Sequence, residues 1–202
     1  TSSTLDISHA SFKCTLKLTD IYGGQTTPSN FKVILFPLSK SFDEGIGRDV
    51  VSFADIDASN FITASSGSAW SATGANHQGS IDSDNADIIS SGSLGDGVVN
   101  LFKTQSFERG TEDLEIDVTS IVSATLKNII PDQGFRLSFS GTEETDTATR
   151  FVKRFASRHA TNVTNRPKLI VAYDDAVIDH HKSFFFNLSG TLFLNNYHRN
   201  SL

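Results

Sequence analysis

Apolar and polar positions alternate along several short stretches of the chain, and that alternation predicts strands. In SFKCTLKL (residues 11–18), Phe12, Cys14, Leu16 and Leu18 share one parity while Lys13 and Lys17 take the other, as in a strand with one buried face. After turn material from Tyr22-Gly23-Gly24-Gln25 to Pro28, FKVILFP (residues 31–37) predicts a second strand, and the two are expected to pair antiparallel. Val98 to Phe102 and Phe107 are short strand material. Gly134 to Phe139 predicts a strand with Phe135, Leu137 and Phe139 turned inward. The stretch RFVKRFASRHATNVTNRPKLIVAYDD (residues 150–175) reads as a closing hairpin. Phe151 to Ala156 enters the polar turn Arg158 to Asn165, and Lys168 to Tyr173 leaves it as a strand with one face buried. Pro167 suits the first position of such a strand, because it offers no ladder donor.

Only one segment reads as a helix. It is expected to open at Glu115-Ile116-Asp117-Val118-Thr119, with Asp117 capping the amides two and three residues on. Ile121, Val122 and Leu126 are expected on its buried face, and Asn128 and Pro131 at its end. Between Phe53 and Gly97 periodicity fades and Ser, Gly, Asn, Asp and Ala dominate, so a long surface excursion is expected there, pinned to the core by Trp70. After Asp175 the texture changes again. Residues 176–202 crowd Phe184, Phe185, Phe186, Leu192, Phe193 and Leu194 around Ser189-Gly190, a small hairpin with more apolar surface than it can hide alone. The division expected is therefore a β-domain over 1–175 and a C-terminal assembly segment, or the start of a further domain, over 176–202.

Composition narrows the partners. Sixteen Phe against one Trp and no Met suit a stiff β-structure better than a plastic helical groove. The formal net charge of -6 gives no general attraction to nucleic acid or anionic lipid, and no apolar run reaches membrane-spanning length. Cys14 is the one cysteine, which excludes an internal disulfide and a Cys-based zinc cluster. The sequons at Asn162 and Asn187 follow no signal peptide pattern and are read as chance matches.

Chemistry-bearing residues are weighed against plainer roles. No nucleophile elbow, zincin helix, Walker loop or dinucleotide fingerprint is present, so no catalytic residue is assigned and the chain is read as a non-enzyme. Asp43 and Glu44 are the one carboxylate pair a hydrolase reading would use, against a solvated loop. Asp82, Asp84 and Asp87 have the spacing of calcium ligands but lack the loop glycine and late Glu of an EF-hand; a structural calcium is the sharper reading, solvated charge the plainer one. His180-His181 point to opposite faces if extended, which disfavours a metal role. No other cofactor is implied. Arg150, Lys153, Arg154, Arg158, His159, Arg166 and Lys168 form a basic cluster that would either grip phosphate or pair with Glu108, Glu112 and Glu115. Base-stacking aromatics do not interleave with it, so nucleic acid is disfavoured.

Three segments carry a resemblance. Asp117-Val118-Thr119-Ser120-Ile121-Val122 is similar to a DVT-x-hV signature. Phe155-Ala156-Ser157-Arg158-His159 resembles an aromatic-x-Ser-Arg-Glu site, with His159 in place of Glu. Arg166 to Tyr173 resembles a closing P-x-L-x-V-x-Y strand. Together they resemble the β-sandwich family named for its DNRLRE motif, related to carbohydrate-binding modules of disaggregatase type. Phe42 to Gly47 and Trp70 to Gly74 look like weaker versions of that family's glycine and tryptophan loops. The likeness covers residues 8–175 and implies earlier strands ahead of Thr1; apart from it, the stop at Leu202 without a terminal cap leads to the expectation that more sequence follows. A narrower likeness, over Lys153 to Asp175 and Asp179 to Asn196, is to structural proteins of tailed bacteriophages, especially those of cyanobacteria.

The resemblance implies an all-β, jelly-roll-like antiparallel sandwich with one short helix and the Phe-rich appendage. It implies a virion component of tail, baseplate, neck or capsid surface that contacts other virion proteins and copies of itself; the apolar surface of Phe184–Phe186 and Leu192–Leu194 makes that segment the expected interface. The alternative it implies is a carbohydrate-binding module for a host-surface glycan, with Trp70, Arg158 and His159 as ligand residues. No membrane partner is expected.

Overall fold

A computed structural model of the 202-residue chain describes residues 7–21, 29–45, 58–76, 87–95, 97–147 and 152–173. The chain groups into two compact units, Lys13–Val171 and a second made of Thr1–Phe12 with Ala172–Leu202. The Phe-rich segment, His180-His181, Asp82 and Asp84 lie outside the described residues.

The described residues are mostly strands in antiparallel sheets, with few and short helices. Ten strands run in order: β1 (Lys13–Leu18), β2 (Phe31–Pro37), β3 (Thr63–Ser65), β4 (Ser68–Ala69), β5 (Ser91–Ser93), β6 (Val98–Asn100), β7 (Lys103–Phe107), β8 (Leu114–Asp117), β9 (Phe135–Phe139) and β10 (Lys168–Ala172). One three-stranded sheet has the order β7-β2-β9 and another the order β10-β1-β8; β3-β4 and β5-β6 are two-stranded.

β2 is the centre of its sheet. Every residue of FKVILFP except Lys32 is buried, the signature of a strand covered on both faces. It pairs antiparallel with β7 (Ile34 opposite Thr104) and with β9 (Phe36 opposite Arg136). The even positions Ile34, Phe36 and Leu38 form a core cluster with Ala75 and Ile88, against which Trp70 and Phe102 pack. Odd positions build an aromatic cluster. Phe31 stacks on Phe107 with centroids 4.9 Å apart, Phe139 meets Phe31 edge-on at 5.5 Å, and Phe155 lies 6.5 Å from Phe107. Burying a ring such as Phe36 or Phe107 completely stabilises the fold by about 1.5–3 kcal/mol each.

β1 does not pair with β2. Its partner is β8, with Leu16 opposite Ile116, and the two predicted partners fall in different sheets. Alternation fixes which face of a strand is buried but not which strand lies beside it, so any amphipathic neighbour satisfies KCTLKL equally. The closing hairpin is corrected in the same way. Residues 154–156 lie against the continuation of β1, where Phe155 bridges Asp20, Ile21 N–H donates to the Arg154 carbonyl (3.2 Å) and Ala156 N–H to the Thr19 carbonyl (2.9 Å). β10 neighbours β1 itself, so the two arms share one strand instead of each other. Residues 157–167 loop out between them. There Asn162 accepts from both Thr164 N–H and Thr164 Oγ1, which gives the Asn162 sequon a local conformational role.

The helix begins later than predicted. Leu114–Asp117 is strand β8 and the helix spans Thr119–Leu126, with Ile121, Ser123 and Ala124 buried. Leu126 is 52% exposed, because the buried stripe of so short a helix ends at Ala124. Within the Ser/Gly-rich region, residues 58–76 hold a short hairpin. Asn60 Oδ1 accepts from Ile62 N–H (2.8 Å) and Thr63 N–H (2.9 Å), which starts the β3-β4 hairpin, and Gly67 at φ 74° makes its turn.

Candidate functional site

A cleft of about 400 Å³ runs along β9, the edge strand of the β2 sheet, and is lined by Val33, Phe61, Arg136, Phe139, Glu144 and Lys153 among others. Two cations define it. Arg136 sits on β9 opposite Phe36, and only 9% of it is exposed. Its Nε donates to the Gly74 carbonyl (2.7 Å), Nη1 to Ser138 Oγ (2.6 Å) and Nη2 to Glu144 Oε1 (3.0 Å). Burial pulls the guanidinium below its usual pKa, and Glu144 opposes that shift. Sequence reasoning placed Phe135, Leu137 and Phe139 inward, yet Arg136 is the buried residue of β9 and those three are half-buried. An arginine at an alternate position reads as solvent-facing; the fork of acceptors from Gly74, Ser138 and Glu144 is assembled only in three dimensions.

Lys153 belongs to the basic cluster expected either to grip phosphate or to pair with Glu108, Glu112 and Glu115, and its side chain is 3% exposed. Its ammonium donates to Asp20 Oδ1 (2.5 Å), the Glu112 carbonyl (2.8 Å) and the Gly110 carbonyl (2.9 Å), and it lies over the Phe107 and Phe155 rings at 5.0 and 5.1 Å. Three donors therefore meet three acceptors. Both cations hold backbone and carboxylate groups in place.

Those of the other predicted site residues that are described make structural contacts. Asp87 is 5% exposed and both its oxygens accept from Ser71, one from the backbone N–H (2.5 Å) and one from the hydroxyl (2.9 Å). Among the described residues no cluster of three His, Cys, Asp or Glu has the arrangement of a metal site. Trp70 is half-buried against the core cluster and donates from Nε1 to the Asn60 carbonyl (2.8 Å), so it pins this region as its sequence position suggested. Arg158 is exposed and pairs with Glu44, with a second bond to the Gly45 carbonyl (3.0 Å) and an Nε contact to His159 Nε2 (3.2 Å). Asp43 accepts from Gly45 N–H (2.9 Å), so Asp43 and Glu44 serve separate contacts.

The least expected surface is β10. All five of its residues are exposed, including Leu169 (49%), Ile170 (47%) and Val171 (43%), and Tyr173 just beyond it is 48% exposed. The predicted buried parity is absent. β10 is the terminal strand of its sheet, with β1 on one side and no described strand on the other. Among the described residues no strand pairs with the outer hydrogen-bonding edge of β10.

Searches of known protein families, characterised proteins and solved structures find no match to the chain. Among the described residues no helix is long and apolar enough to cross a membrane.

Proposed function

We propose that the chain is a bacteriophage virion structural protein of tail, baseplate, neck or capsid surface, built on a jelly-roll-like sandwich, that works through contacts with copies of itself and with other virion proteins. The observation that supports this reading is β10. An apolar edge strand exposed on both faces is a liability in a free monomer and a docking element in an assembly. Single exposed apolar residues are ordinary, but Leu169, Ile170 and Val171 are consecutive in one strand. The Phe-rich segment with Phe184, Phe185, Phe186, Leu192, Phe193 and Leu194 adds a second apolar element to the sequence.

The glycan-binding alternative draws on the same resemblance but asks Trp70 to offer a free ring, and Trp70 packs on the core cluster. Native mass spectrometry of the full chain separates the readings. Assembly into dimers or larger species, lost in a Phe185→Asp, Phe193→Asp double variant or in a β10 variant, supports a structural role. A monomer at every concentration, retained on a glycan array and released by Trp70→Ala, would overturn it.

A further inference from the structure

The outer edge of β10 has a sequence that is complementary to itself when reversed. Centred on Val171, the run Lys168-Leu169-Ile170-Val171-Ala172-Tyr173-Asp174 places a base at one end and an acid at the other, at equal distances from the middle. We infer that two copies of this chain join through antiparallel pairing of β10 with β10, about a two-fold axis at Val171. The inference rests on the assembly reading above and gives it a contact.

Parity and charge select this register. A two-fold axis perpendicular to a continuous sheet pairs residues on the same face, so one residue must face its own copy. With Val171 at the axis, Leu169 faces Tyr173 of the second copy beside the Val171 pair on one face. On the other, Ile170 faces Ala172, and the register would bring Lys168 to Asp174, which lies outside the described residues. All four pairings are favourable cross-strand types: aliphatic with aromatic, aliphatic with aliphatic, and opposite charges. Moving the axis to Leu169 sets Lys168 against Ile170 and brings Pro167 into the ladder, where it has no donor to give. Pro167 lies just outside the Val171-centred pairing.

The exposed residues make the contact possible. Lys168 to Ala172 are exposed throughout, and among the described residues no strand lies on the outer side of β10, where the second copy would pair. Parallel self-pairing would set Lys168 beside Lys168, a like-charge contact that the antiparallel arrangement avoids.

The test is site-directed disulfide formation in the full chain, with native mass spectrometry in parallel. Val171→Cys puts two thiols across the axis, at a Cα separation of about 4.5–5.5 Å, within the range a disulfide spans. Leu169→Cys puts its two thiols roughly 13–14 Å apart along the strands. Native Cys14 is fully buried and contributes no background. The expected result is a disulfide dimer from Val171→Cys and from the Leu169→Cys, Tyr173→Cys pair, but none from Leu169→Cys alone or from exposed Val152→Cys. A charge cycle guards against misfolding: Lys168→Asp weakens the dimer about tenfold, and adding Asp174→Lys restores it. An oligomer that forms without the Val171 cross-link and ignores the charge cycle overturns the pairing and leaves the assembly reading intact. A chain that stays monomeric at all concentrations overturns both.

Discussion

Thr119 joins two parts of the backbone that are far apart in sequence. Its Oγ1 accepts from Cys14 N–H (2.9 Å) and its own N–H donates to Asp117 Oδ1 (2.9 Å), while Val118 N–H donates to the Cys14 carbonyl (2.8 Å). These bonds seat the helix start on β1 and give the Asp-Val-Thr run a physical purpose. Asp117 takes the amide two residues on, but the cap position itself is Val118, which has no side-chain cap bond, so the expected Asp117 cap is met only in part. Thr119→Val keeps the shape and removes the acceptor, leaving the Cys14 amide unpaired; the expected loss is about 1–3 kcal/mol in urea unfolding. Burial, reinforced by the Asp117 charge, pushes the Cys14 thiol pKa up, so the cysteine should resist alkylation until the protein unfolds. Glu112 supplies the pH dependence. Its Oε1 accepts from Arg109 N–H (2.7 Å) and Glu108 N–H (3.0 Å), and these backbone bonds, Arg109 foremost, hold its pKa below the usual carboxylate value. A depressed pKa adds stability above the unfolded value of about 4.3 and loses it as pH falls through the folded one. Thermal melts from pH 6 down to about pH 3 should therefore show a smaller acid loss in Glu112→Gln than in the parent.

At the scale of elements, the segment around Lys153 is held to the body by a charge and not by apolar burial alone. Asp20 is largely buried with it, so removing the lysine strands a carboxylate: Lys153→Met is expected to cost about 3–5 kcal/mol, and Lys153→Met with Asp20→Asn to recover part of that, by chemical denaturation. Strand existence was legible where local pattern decides it. β2 was bounded correctly because six of its seven residues are apolar and turn material precedes them, and β9 and β10 were found within a residue of their ends. Pairing was not legible. Thr15 meets Asp117 across a hundred residues of chain, and nothing in either local pattern names the other. Buried polar fixings were hidden for the same reason, since Arg136 gives no sign of burial until Gly74 and Ser138 are brought to it, and the pairing expected of Lys153 did not name Asp20. β10 is the reverse case. Its alternation reads as half-buried, and its neighbours in this chain leave it exposed.

For the whole molecule, the sheet that ends in β10 carries at that end the apolar surface a partner would cover, and the account stands on whether a second copy covers it. Hydrogen exchange reports this directly, because an edge amide that gains a cross-strand acceptor slows. The measurement is amide exchange of the full chain across residues 168–173, followed by mass spectrometry over a hundredfold range of protein concentration. The account predicts that this segment becomes slower as concentration rises, while β2 in the interior stays unchanged. Exchange at residues 168–173 that is fast and indifferent to concentration, in a chain that remains monomeric, would contradict it.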